Sequence, residues 1–83
     1  MIDKKVLFIT GAAIGIGHAA CLKFASEGYA IAFNDYNVEN GNKALEELKD
    51  KGYEAIVLPG DATKEEEVKA MVAKTVDTYG RID

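Results

Sequence analysis

Gly11, Gly15 and Gly17 follow directly on a short apolar run, Val6-Leu7-Phe8-Ile9, that ends in Thr10. Glycine lets a backbone come very close to something. Phosphate is the usual something, because the free N–H groups of a helix N-terminus carry partial positive charge and attract anions. The N–H groups of Ala13, Ile14, Gly15, Ile16 and Gly17 are those the loop would turn toward such a ligand. Two registers fit. Gly15-Ile16-Gly17-His18-Ala19-Ala20 matches the dinucleotide fingerprint G-x-G-x-x-A. That fingerprint begins directly after its strand, whereas here the strand runs out at Gly11, so Thr10-Gly11-x-x-x-Gly15-x-Gly17 is the better description. A tight strand-to-helix turn that binds nothing is the plain alternative.

Asp35 is the next candidate. It stands just past the apolar stretch Tyr29–Asn34, roughly 18 residues after Gly17, against about 20 in dinucleotide-binding units. A carboxylate there can accept hydrogen bonds from the adenosine ribose hydroxyls and would repel a 2′-phosphate. Asn34, Tyr36 and Asn37 supply no arginine or lysine to receive that phosphate. The expectation is NAD over NADP, with a solvated turn aspartate as the alternative. The other reactive side chains read as structural. His18 lies in the first turn of a helix with no visible nucleophile beside it, and Cys21 reads as a small buried apolar residue. Glu65-Glu66-Glu67 is a charge run favoured by a helix dipole, not a hydrolytic carboxylate pair.

The elements that must position these residues are legible. Lys4–Thr10 is a strand, β-branched and aromatic and too short for a helix. Gly15–Glu27 is a helix whose alanines let it sit close to a sheet, with Gly28 as its stop. Tyr29–Asn34 is the second strand. Asn37 caps a second helix that runs to Lys51 and stops at Gly52. Tyr53–Leu58 is the third strand, ended by Pro59-Gly60. Thr63 and Glu66 form a capping box for a third helix, whose stripe is Val68, Met71, Val72, Thr75, Val76 and Tyr79, and Gly80 stops it. Strands alternating with helices mean an α/β fold with a parallel sheet, since parallel neighbours need crossover connections. Right-handed crossovers give a partial Rossmann-like, doubly wound βαβαβα unit with strand order 3-2-1. Helices one and two lie on one face and helix three on the other.

Composition bounds the rest. The chain has 83 residues, 48% hydrophobic and 29% charged, which suits one small globular unit. A net charge of −4 with no basic stripe argues against nucleic acid. No apolar run reaches membrane-spanning length, and the apolar segment after Lys4-Lys5 is too short for an export signal. A single cysteine rules out an internal disulfide and fits a reducing cytoplasm. No Cys/His cluster suggests a transition metal.

The loop Thr10-Gly11-x-x-x-Gly15-x-Gly17, the acidic Asp35, the segment Asp61-Ala62-Thr63 and the closing Tyr79-Gly80-Arg81-Ile82-Asp83 occur in that order. Together they resemble the short-chain dehydrogenase/reductase family over nearly the whole chain. The resemblance implies an oxidoreductase that passes hydride between NAD(H) and a small alcohol or carbonyl substrate, expected as a homo-oligomer. It implies a glycine loop at the pyrophosphate and Asp61 and Ala62 along the adenine, although Asp61 could instead simply serve the third helix's N-terminus. Ile14 departs from the small or polar residue often found at its loop position, leaving backbone contacts only. Thr10 holds the loop. The family's N-N-A-G segment and its catalytic Ser, Tyr and Lys fall beyond Asp83. Tyr29, Tyr36, Tyr53 and Tyr79 all lack a lysine four residues on, so no catalytic residue is assigned.

Residues 1–83 therefore read as the N-terminal part of one dinucleotide-binding domain, inactive alone. The first strand, central by its sequence, would keep a bare edge, and one sheet face would be covered by a single helix. So small a domain buries only about 60% of its unfolded surface even when complete. A non-catalytic dinucleotide-binding module, or a truncated or proteolysed piece completed by association, are the other readings.

Overall fold

In the computed structural model, which describes residues 3–11 and 15–83, the alternating pattern becomes β1 (Val6–Thr10), α1 (Gly15–Ser26), β2 (Ala30–Asp35), α2 (Val38–Asp50), β3 (Ala55–Pro59) and α3 (Glu65–Tyr79). The three strands are parallel and lie in the order β1-β2-β3. Val6 pairs with Ala30 through to Thr10 with Asn34, and Ile31 pairs with Ala55 through to Asp35 with Pro59. The middle position explains the unbroken apolar run of β2, because a parallel strand covered on both faces has no polar side to show. Ala30, Ile31, Ala32 and Phe33 are all fully buried.

Successive side chains of β2 alternate between faces. Ile31 and Phe33 join Cys21 and Ala25 of α1 and Ala44 and Leu48 of α2 in one core. Ala30 and Ala32 join Val6, Leu58, Met71 and Tyr79 in the other, under α3. Thus α1 and α2 share one face and α3 takes the opposite one, as expected. Cys21 lies inside the first core, where burial pushes its thiol up to about 11, so it packs as a neutral apolar group.

The glycine stops hold. At the end of α1 the N–H groups of Gly28 and Tyr29 bond back to Ala25 and Phe24. At the end of α2 those of Gly52 and Tyr53 bond back to Lys49 and Leu48. This 5→2, 6→1 pattern satisfies carbonyls that would otherwise be orphaned and brings an apolar residue back onto the last turn. Tyr29 packs edge-on to Phe24, with ring centroids 5.0 Å apart. Asn37 caps α2 as expected, its side chain accepting from the Asn40 N–H at 3.0 Å.

Three expectations need correction. Asp35 is the last residue of β2 rather than the first beyond it. Thr63 and Glu66 make no capping box. The helix begins one residue later, at Glu65, because the Thr63 hydroxyl is taken by the Asp61 carboxylate at 2.7 Å and Lys64 occupies the cap position without a side-chain bond. The α3 stripe is only half used. Met71, Thr75 and Tyr79 are buried, whereas Val72 and Val76 are 37% and 44% exposed, since three strands present too narrow a surface to cover them.

The outer edge of β1 is not wholly bare. Asp83 donates its N–H to the Val6 carbonyl at 2.9 Å and accepts the Val6 N–H on Oδ2 at 2.9 Å. Arg81 grips the same carboxylate with both arms, at 2.7 and 2.6 Å. That bidentate contact, followed by the Val6 N–H, holds the Asp83 carboxyl below the usual carboxylate range.

Candidate functional site

All three strands run the same way, so their carboxyl ends lie at one edge of the sheet, where open α/β sheets bind ligands. Thr10-Gly11 leaves β1 there, Asp35 closes β2, and Gly60-Asp61 follows β3.

Gly11 has φ +64, a left-handed conformation that favours glycine, and an added Cβ would meet no atom within 4 Å among the described residues. The described residues leave room at this position, and the backbone there takes a conformation suited to a turn. Ala13 and Ile14 lie outside the described residues. Gly15, Ile16 and Gly17 form the start of α1, whose N-terminus faces this same edge. The three helices differ in how their N-termini are served. Helix α2 has its Asn37 cap and Glu39 in the first turn, and α3 has Glu65, Glu66 and Glu67, but the first turn of α1 holds no acidic residue. Among the described residues, its first turn therefore brings no carboxylate of its own to the positive end of the helix dipole. His18 in that turn reaches to α2, with Nε2 2.7 Å from Glu47 Oε2, so it ties two helices together.

Asp35 is half-buried at the tip of β2. Its Oδ1 accepts the Asn37 N–H at 2.8 Å, and Asn37 in turn caps α2. The turn thus fixes the carboxylate and the start of the helix together. Asp61 is fixed in a similar way. Its Oδ1 accepts from the Thr63 N–H at 2.9 Å and from the Thr63 hydroxyl at 2.7 Å. These bonds, the hydroxyl first, hold its carboxyl below the usual carboxylate range. Its Oδ2 makes no hydrogen bond among the described residues, and Ala62 beside it is exposed. Asp61 therefore braces the turn into α3 and also offers an acceptor at the sheet edge, so the two alternatives weighed for it are compatible.

Two residues of this edge escape the sequence reading. Asn34, 2% exposed, donates from Nδ2 to the carbonyls of Leu58 and Gly60 at 2.7 and 2.9 Å. Glu67 accepts the Asp61 N–H on Oε1 at 2.9 Å. An amide closing an otherwise apolar strand was the available signal for Asn34. Glu67 was hidden inside an acidic run that has a sufficient explanation in the dipole.

Comparison with known proteins gives this geometry a family. Residues 5–83 match the short chain dehydrogenase family. The chain belongs to that family. It is 44% identical over 79 residues to an uncharacterized oxidoreductase of Thermotoga maritima, covering 95% of this chain and 31% of the relative. Among similar solved structures, NAD+-bound xylitol dehydrogenase superposes with TM-score 0.90 at 43% identity, covering 95% of this chain and 30% of that one. Actinorhodin polyketide ketoreductase with NADPH superposes with TM-score 0.93 at 32% identity, covering 98% and 31%. The chain thus spans about a third of the length of the curated relatives it matches, at 31, 34 and 33% of the first three. The fold is accordingly the Rossmann-like α/β arrangement of this family. Among the described residues no helix is long and apolar enough to cross a membrane, and no group of His, Cys, Asp and Glu could hold a metal ion.

Proposed function

We propose that this chain builds the adenosine- and pyrophosphate-binding part of an NAD-dependent oxidoreductase, as the N-terminal segment of one dinucleotide-binding domain. Bound there, the cofactor supplies hydride exchange with an alcohol or carbonyl carbon. The residues of this chain do the holding. The backbone amides of residues 13–17 and the α1 dipole take the diphosphate, with Gly11 making the turn. Asp35 takes the adenosine ribose hydroxyls, and Asp61 with Ala62 borders the adenine.

The observation that carries the choice of NAD is Asp35, a carboxylate fixed at the tip of β2 by the Asn37 N–H with no cation at positions 34, 36 or 37. Overall likeness does not decide the point, because solved relatives of similar fold bear either NAD or NADPH. The fit of the site to a dinucleotide rests on three features at one edge: the open left-handed turn at Gly11, the acid-free first turn of α1, and the two fixed carboxylates.

No tyrosine of this chain is followed by a lysine four residues on, so proton transfer to substrate belongs to other residues of the full-length protein. The 83-residue chain alone turns over no NAD. Calorimetry on the full-length protein tests the reading. NAD binds at micromolar concentration and NADP at least about tenfold more weakly, a difference of about 1.4 kcal/mol. Equal affinities, or no binding of either, refute it.

A further inference from the structure

The ladder between β2 and β3 ends at the pair Asp35 and Pro59. Ile31 of β2 donates to the Glu54 carbonyl, so by alternation the Pro59 nitrogen faces the outer edge of β3, where a proline costs no bond to β2. Gly60 then turns with φ +140. A glycine at positive φ past the last ladder pair is a poor anchor for the residue after it, yet here the turn is gripped from both sides. From β2, the carboxamide of Asn34 bridges across Pro59, donating to the carbonyls of Leu58 at 2.7 Å and Gly60 at 2.9 Å. A buried amide is costly unless it is bonded, and these two carbonyls use both its N–H groups. From α3, Oε1 of Glu67 accepts the Asp61 N–H at 2.9 Å. The space between is full: a Cβ on Gly60 would stand 2.8 Å from Met71 Cε and 3.2 Å from Glu67 Oε1.

We infer that Asn34 and Glu67 are positioning residues for the cofactor's adenine end, acting through the Gly60–Asp61 peptide. Neither presents itself to the ligand. Asn34 is buried, and the Oε1 of Glu67 is committed to the Asp61 amide. Together they fix both faces of one peptide unit, and the rest of the Asp61 geometry follows through Thr63. The inference rests on the proposal that Asp61 borders the adenine. Glu67 also lies 3.9 Å from Lys64 Nζ, through Oε2. That exposed pair is too loose to account for the placement of Oε1.

The test uses the full-length protein, with ADP-ribose and nicotinamide mononucleotide as separate probes of the two cofactor halves. Glu67→Ala weakens ADP-ribose binding about tenfold, the loss of one charge-assisted hydrogen bond, and leaves nicotinamide mononucleotide within about twofold. Glu67→Gln, whose amide oxygen still accepts from the Asp61 N–H, restores ADP-ribose binding to within about twofold of the parent. Asn34→Leu reproduces the Glu67→Ala pattern if it folds, and the Glu67 pair decides the matter if it does not. An unchanged ADP-ribose affinity in Glu67→Ala overturns the inference, as does an equal loss for both probes or a failure of Gln to rescue. A parent protein that binds no ADP-ribose overturns the cofactor reading beneath it, which is a distinct result.

Discussion

Replacing Asp35 by asparagine separates charge from shape at the position proposed to select the cofactor. The amide keeps an oxygen where Oδ1 now accepts the Asn37 N–H at 2.8 Å, so the turn into α2 and the Asn37 cap survive. What disappears is one negative charge at a half-buried edge. A 2′-phosphate carries about −2 at neutral pH. For charges about 6 Å apart in a water-like dielectric, their repulsion with one carboxylate is about 1.4 kcal/mol, or about tenfold in affinity. NADP binding to Asp35→Asn should therefore tighten about tenfold, while NAD weakens by no more than the net worth of a hydrogen bond to a charged group, about 1.5–3 kcal/mol. Calorimetric titration of parent and variant with both cofactors at two salt concentrations measures this. The NADP gain should shrink at high salt, because screening already removes much of the repulsion in the parent. An NADP affinity that does not move, or a gain indifferent to salt, would show that the carboxylate does not face the 2′ position. Asp35→Ala is the poorer probe, since it also removes the acceptor for Asn37.

Other outcomes follow from the packing and the titrating groups. Leu48→Ala empties a fully buried position between α2 and the sheet and should cost about 2–5 kcal/mol, read from urea unfolding. Gly60→Ala forces a side chain into φ +140 against Met71 and should cost about 1–3 kcal/mol by the same measurement. Asp61 and Asp83 have carboxyls held below the usual range in the folded chain. Their contribution is therefore fully present above the unfolded value of about 3.9 and is lost as pH falls through the lower folded values. Urea midpoints between pH 5 and 3 should drop, and Asp83→Asn should flatten that drop. Cys21, neutral because burial raises its thiol to about 11, should resist iodoacetamide at pH 8 in the folded protein and react once urea unfolds it.

Local chemistry made most of this fold legible. Glycine after each helix, Asn37 before the second one and the apolar runs of β1 and β2 each act within a few residues, so their signals survive in sequence. What did not survive involves competition or coverage. Thr63 followed by Glu66 has the spacing of a capping box, but Asp61, two residues earlier, wins the hydroxyl. The Asp61 N–H then goes to Glu67, one residue beyond the acid the spacing singles out. On α3 the periodicity names the apolar stripe correctly but cannot say how much sheet lies beneath it, so Val72 and Val76 stay exposed while Thr75 is buried. Thr75 tolerates burial because its hydroxyl returns to the Met71 carbonyl at 2.8 Å. At the site, Asp35 and the glycines were legible as residue types in a familiar spacing. Asn34 and Glu67 were not, because their roles depend on contacts between elements 24 and 6 residues apart.

The last two residues of β2 show why register matters to this site as much as composition does. Side chains alternate along a strand, so Asn34 shares the α3 side with Ala30 and Ala32, while Asp35 shares the α1–α2 side with Ile31 and Phe33. Asn34 accordingly grips the end of β3 and the peptide before Asp61. Asp35 braces the entry to α2. A slip of one residue would put the carboxylate against the carbonyls of Leu58 and Gly60, where two acceptors repel. It would also carry the amide to the place where Asp35 now braces the entry to α2. The buried Ile31 and Phe33, paired with Ala55 and Val57, forbid that slip, because it would turn the large side chains of β2 toward the face shaped for alanine. The same apolar alternation that stabilises the middle strand therefore decides which polar group meets which side of the sheet edge.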